Sequence, residues 1–129
     1  MTIKRGVYKK RILALGFVLF ISAMGFQPIY ADNAKIQQLI EDLKDEKSFT
    51  RSGAARALGE IGDKSAVPAL IAALKDEKSS VQLRAAAALG EIGDKSVVPA
   101  LTKTLKDKNL RVRVAAERAI KKIEESGKK

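Results

Sequence analysis

Residues 44–74 read KDEKSFTRSGAARALGEIGDKSAVPALIAAL and residues 75–105 read KDEKSSVQLRAAAALGEIGDKSVVPALTKTL; 21 of the 31 aligned positions are identical, and no gap is needed. A fixed period of this length means that one supersecondary unit is stacked along the chain. The register extends in both directions. Asp45, Asp76 and Asp107 share one position, as do Leu58, Leu89 and Ile120, and Ile61, Ile92 and Ile123. Upstream, Ile36, Leu39, Ile40 and Leu43 align with Val67, Leu70, Ile71 and Leu74.

Each unit carries two helical patterns. In the first, Val81, Ala85, Ala88, Leu89 and Ile92 recur at spacings of three and four and so share one face of a 3.6-residue helix. The alanines of that face favour helix and let a neighbour approach closely. Ser79 followed by Gln82 reads as a capping box. Gly59, Gly62, Gly90 and Gly93 read as the stop, because glycine enters the left-handed conformation that ends helices. The second pattern places Val67, Leu70, Ile71 and Leu74 in one stripe, followed in the next unit by Val98, Leu101 and Leu105. Pro68 and Pro99 fit the first turn of this second helix, whose amides lack internal partners, with Ser65 and Ser96 as the expected caps.

The strings AARALGEIGDKSAVPALIAALKDEKS and AAAALGEIGDKSVVPALTKTLKDKNLRVRVAA resemble HEAT repeats, specifically the short subtype first described in phycobilisome lyases. The resemblance rests on the Leu-Gly-x-Ile-Gly-Asp turn, the x-Val-Pro-Ala-Leu helix start, the Leu-Lys-Asp turn and the Val112-Arg113 pair. It implies an all-α fold, an α-solenoid (α-α superhelix) of stacked antiparallel helix pairs. About two and a half repeats are expected: a partial unit at 32–43, repeats at 44–74 and 75–105, and a terminal half-repeat at 106–125, followed by a basic tail at 126–129. The family often sets an arginine in a ladder with turn aspartates. Here the pair reads Thr50-Arg51 and then Val81-Gln82, so the ladder is expected to be incomplete, with Arg51 and Arg113 in structural or solvated ion pairs.

Residues 1–31 are a different kind of sequence. Lys4, Arg5, Lys9, Lys10 and Arg11 precede an uncharged run from Ile12 to Phe26, and the acidic Asp32 follows Ala31. That order predicts a secretory signal peptide, cleaved after Ala31, and a secreted, periplasmic or cell-envelope location. The apolar run falls short of the roughly 20 residues of a spanning helix. Ile29 is a poor match to the small residue usual at its position, so an uncleaved anchor holding the chain outward on a membrane is the alternative.

The chain has 25 Lys plus Arg against 15 Asp plus Glu, with five of the cations before residue 12. From residue 32 to 105 the charges balance at 11 and 11, whereas residues 106–129 hold nine cations and four anions. The surplus is therefore terminal. Arg111, Arg113, Arg118, Lys121 and Lys122 form a candidate basic patch that could attract an acidic partner, lipid headgroups or nucleic acid. The alternative is a polar end to the stack, since Lys121, Lys122, Glu124 and Glu125 stand where other units continue into the glycine turn.

With no His, no Cys and no Trp, the chain lacks imidazole bases, thiolate nucleophiles and the commonest zinc ligands. It is expected not to be an enzyme and to carry no catalytic, metal or cofactor site. Glu60 and Glu91 recur by period, which suggests structure in place of an acid and base pair. A bilin-lyase-like enzyme follows from the resemblance alone. A nucleic-acid-binding module has the basic tail in its favour, but few aromatics and no reading motif.

The expected function is a non-catalytic scaffold that binds a protein or peptide. If second helices line the concave side, as the resemblance implies, the outward column is Gln38, Glu41 and Asp42, then Ala69, Ala72 and Ala73, then Ala100, Lys103 and Thr104. It runs from acidic through neutral to basic, as a shallow peptide groove would. Weak self-association is expected through an apolar edge at Ile36, Leu39 and Ile40.

Overall fold

The structure, a computed structural model, describes residues 27–128, with side chains from residue 32 onward. Most of the expected leader therefore lies outside the described residues. Helix α1, Gln27–Asp42, runs through the expected junction after Ala31. The compact unit starts at Ile36. It continues through α2 (Ser48–Ile61), α3 (Val67–Ala73), α4 (Ser79–Ile92), α5 (Val98–Thr104) and α6 (Leu110–Ser126). Short 3₁₀ turns, Lys64–Ala66 and Lys95–Val97, lead into α3 and α5. Among the described residues every regular element is helical.

These helices form the expected α-solenoid. The longer helices α2, α4 and α6 lie side by side in one layer, and α3 and α5 lie in a second, packed on α4 and α6 respectively. Most of the stripes read from the sequence face inward: Leu70, Val81, Leu89 and Leu101 are fully buried, as are Leu58, Val112 and Ile123, whereas Leu105, at the end of its stripe, is 36% exposed. Each such side chain contributes roughly 1.5–3 kcal/mol on leaving water. No single helix pair encloses its own stripe, so the core exists only because neighbours stack. Ile36 is buried, and Leu39 and Ile40, named with it as an apolar edge, are half-buried against the same core.

The glycines divide into two kinds. Gly62 and Gly93 have φ of 75° and 76° and close α2 and α4 in the left-handed conformation, as expected. Gly59 and Gly90 do not. Both remain helical, and a Cβ on Gly59 would lie 2.7 Å from the Cα of Ala88, while one on Gly90 would lie 2.9 Å from the Cα of Ala119. They are glycine because the layer α2, α4, α6 packs backbone against backbone, in register, at these points.

The caps also differ from expectation. Ser79 is the first residue inside α4, the N-cap Lys78 makes no side-chain capping bond, and Gln82 points elsewhere, so the capping box does not form. Aspartates organise the turns instead. The Lys47, Lys78 and Asn109 amides donate to Asp45, Asp76 and Asp107 at 2.8–2.9 Å. Asp63 and Asp94 accept from the Ser65 and Ser96 amides, so these aspartates cap the 3₁₀ turns in place of the serines. Pro68 and Pro99 do stand at the start of α3 and α5. Asn109 caps α6 with its side-chain oxygen.

Candidate functional site

A groove of about 560 Å³ lies beside the short helices, lined among others by Ile71, Lys75, Pro99, Ala100, Lys103 and Lys106. The helices α3 and α5 are only seven residues long. The turn residues Lys75 and Lys106 therefore come up beside the helices. Its lining is apolar at Ile71, Leu74 and Pro99 and cationic at the three exposed lysines. Asp107, also at the groove, is engaged by Gln82, whose Nε2 donates to its Oδ2 at 3.3 Å.

The expected column is only partly on this surface. Gln38, Glu41, Ala72 and Lys103 are exposed, and Asp42, Ala69 and Ala100 are half-buried. Ala73 and Thr104 are buried, which corrects their placement as outward residues. Ala73 sits three residues from the fully buried Leu70, close to the core stripe on a 3.6-residue helix, and Thr104 stands likewise to Leu101. The Thr104 hydroxyl donates to the Ala100 carbonyl at 3.0 Å. At the acidic end, Gln38 donates to Asp42 at 2.9 Å, and Lys44 pairs with Glu41 at 3.3 Å. The column omitted Lys75 and Lys106. Their shared place in the repeat, one period apart in the turn, was the signal that could have found them.

The candidate basic patch does not hold together. Arg113 is half-buried, and its Nη1 donates to the carbonyls of Asp107 and Lys108 at 2.7 and 3.2 Å. Lys121 reaches Glu125 at 4.0 Å. Only Arg111, Arg118 and Lys122 share a surface, a second groove between α4 and α6. Lys122 is paired there with Glu91. Glu60 in its turn takes Arg56 at 2.9 Å, which gives both recurring glutamates a structural partner.

One rung of the arginine ladder is complete. Arg51, 8% exposed, donates to both oxygens of Asp76 and, through Nη1, to the carbonyls of Asp45 and Glu46. Burial by itself would raise the Asp76 pKa. The hydrogen bonds from Arg51 and the Lys78 amide outweigh it and hold the carboxyl below its ordinary value. Asp63 is lowered by the Ser65 hydroxyl and amide, and Asp94 by the Ser96 amide and hydroxyl. Among the described residues no buried side-chain nitrogen or oxygen lacks a partner, and no three acidic side chains gather as a metal site. No helix among them is long and apolar enough to cross a membrane.

No curated protein sequence matches the chain. Among solved structures, human deoxyhypusine hydroxylase is similar, with a TM-score of 0.69 and 21% identity. The match covers 99% of this chain and 48% of that one, so the chain spans about half the length of the structure it matches. At this identity the likeness shows a shared fold. It nevertheless overturns the expectation that the chain is not an enzyme: a protein named for its enzymatic activity is built on a similar fold, so the architecture does not exclude catalysis. The family model for HEAT repeats matches residues 21–81 and 36–121. The period, the two-layered stack of helix pairs and this match together make the chain a member of the HEAT-repeat family.

Proposed function

We propose that the chain is an exported scaffold that binds another protein or a peptide through its helical surface, with the groove beside α3 and α5 as the contact. The groove carries the reading: apolar lining at Ile71, Leu74 and Pro99 beside Lys75, Lys103 and Lys106 suits an extended segment with acidic side chains. Such a segment would cross both helices and leave the stack undisturbed. Export is supported by the basic, then apolar, then acidic order of residues 1–32. The repeats are of the short phycobilisome-lyase type, on the strength of the 31-residue period and the Leu-Gly-x-Ile-Gly-Asp turn.

Affinity capture from a cell-envelope fraction tests it, with the wild-type chain and Lys103→Glu used side by side. A protein retained by the first and lost by the second is expected. Equal retention by both removes this groove as the contact. N-terminal sequencing of the exported chain should begin at Asp32.

A further inference from the structure

The second groove, of about 470 Å³, runs between α4 and α6, and no residue of α3 or α5 lines it. It therefore opens on the face away from the lysine-lined groove. Leu83, Ala87, Val114 and Ala115 give it an aliphatic lining, and Leu110 stands at one end with 63% of its surface exposed. Arg111 and Arg118, seven residues apart on one face of α6, form the rim. Both are exposed, and among the described residues neither has an anionic partner within salt-bridge distance.

The preceding step of the same layer, between α2 and α4, lacks these features. One period earlier, Ser79 stands for Leu110, Ser80 for Arg111, Arg84 for Ala115 and Ala87 for Arg118. The core positions hardly change, with Val81 and Val112, or Ala85 and Ala116, buried alike. Packing of the stack thus does not call for the difference. A solubilising end would shed an exposed leucine. This one acquires Leu110, clears a charge from the lining and moves positive charge to the edge.

We propose that this groove docks an acidic amphipathic helix of a partner protein. The proposal rests on the protein-binding reading above but places a contact on the opposite layer. On a helix, carboxylates seven residues apart are separated by about 10 Å. That matches the Arg111 to Arg118 interval, and the apolar side chains between them would settle over Val114 and Ala115. Nucleic acid fits poorly, because the lining has no aromatic ring for a base to stack on and only two cations are unneutralised. A bilayer fits poorly too, because Leu110 is the one large apolar side chain of the groove that stands exposed, while Leu83 and Val114 are half-buried.

The probe is a fluorescein-labelled synthetic helix of about five turns, with leucines at helical spacing and glutamates seven apart, titrated with the full chain and read by anisotropy. Saturable binding is expected. Arg111→Glu and Arg118→Glu should each weaken it by about tenfold or more, and Ala115→Arg should do the same by restoring the side chain of the earlier repeat. Lys103→Glu should leave it unchanged. Circular dichroism checks that each variant is folded, and the two exposed arginines keep the test valid if Ala115→Arg is not. No binding, or binding indifferent to the arginines, overturns the proposal. So does loss on Lys103→Glu alone, which moves the contact to the other groove and leaves the protein-binding reading standing. Equal affinity for a peptide with lysine in place of glutamate also overturns it. So would retention of duplex DNA or phosphatidylglycerol vesicles that depends on Arg118, or a dimer that Ala115→Arg dissolves.

Discussion

Arg51 grips Asp76, 25 residues further on, with two prongs: Nε to Oδ2 at 2.8 Å and Nη2 to Oδ1 at 3.1 Å. Its third nitrogen holds the carbonyls of Asp45 and Glu46. One side chain thus closes the turn before its own helix and clasps the turn of the next repeat. Truncation would strip the Asp45 and Glu46 carbonyls of this donor and leave the mostly buried Asp76 carboxylate with only the Lys78 amide, which costs more than the pair itself is worth. Arg51→Met, which keeps the apolar stem, should lower the thermal midpoint by roughly 5–10 °C. A midpoint unchanged in a circular dichroism melt would show the clasp to be idle.

Acid should loosen the same seams. Asp76, Asp63 and Asp94 all have pKa values below the ordinary 3.8 in the folded chain. The unfolded chain therefore binds protons more readily at these groups. Their stabilisation is complete above the unfolded value and is lost as pH falls through the lowered folded values. Melting temperature should be level from neutral pH down to about pH 5 and decline below about pH 4. Asp76→Asn should melt lower at neutral pH and show a shallower acid decline; an identical slope would remove Asp76 from the account.

Gln82 occupies the place of Arg51 one repeat later. Its Nε2 reaches the Leu74 carbonyl at 3.2 Å and Asp107 at 3.3 Å, a neutral and longer version of the rung. Gln82→Arg should complete it and raise the midpoint by about 3–6 °C. A fall would mean that the turn before α4 cannot admit the larger head group.

In an ordinary helix interior, glycine to alanine adds about 1 kcal/mol of stability. At Gly59 and Gly90 the sign should reverse, because the new methyl meets the backbone of α4 or α6 at 2.7 or 2.9 Å. Gly59→Ala and Gly90→Ala should each cost about 1–3 kcal/mol in urea unfolding. A gain would show that the layers slide apart freely.

Much of the fold was legible because the repeat supplies its own alignment. Val81, Ala85, Ala88 and Leu89 are buried as their spacing required, and Gly62 and Gly93 end helices as their place after Ile61 and Ile92 suggested. What escaped were residues whose type serves two roles. Gly59 resembles a stop but is a point of close approach, and Ser65 resembles a cap but donates its amide to Asp63. Such roles are decided by distance to another segment, which a linear pattern does not contain. The site was less legible for a related reason. Helical spacing placed Gln38, Ala72 and Lys103 on the surface, yet turned Ala73 and Thr104 the wrong way by a fraction of a turn. Composition grouped Arg111, Arg113 and Arg118 by charge, whereas α6 points Arg113 at its own preceding turn and the other two into a separate groove.

Lys121 holds the place that Gly59 and Gly90 hold in the two helices before it. Where those two admit the next backbone to contact, α6 presents a long, charged and largely exposed arm, with its ammonium 4.0 Å from Glu125. A backbone brought as close to this position as Ala88 is to Gly59, or Ala119 to Gly90, would first have to displace that side chain, so the close approach that repeats from α2 to α4 to α6 is not offered again at Lys121.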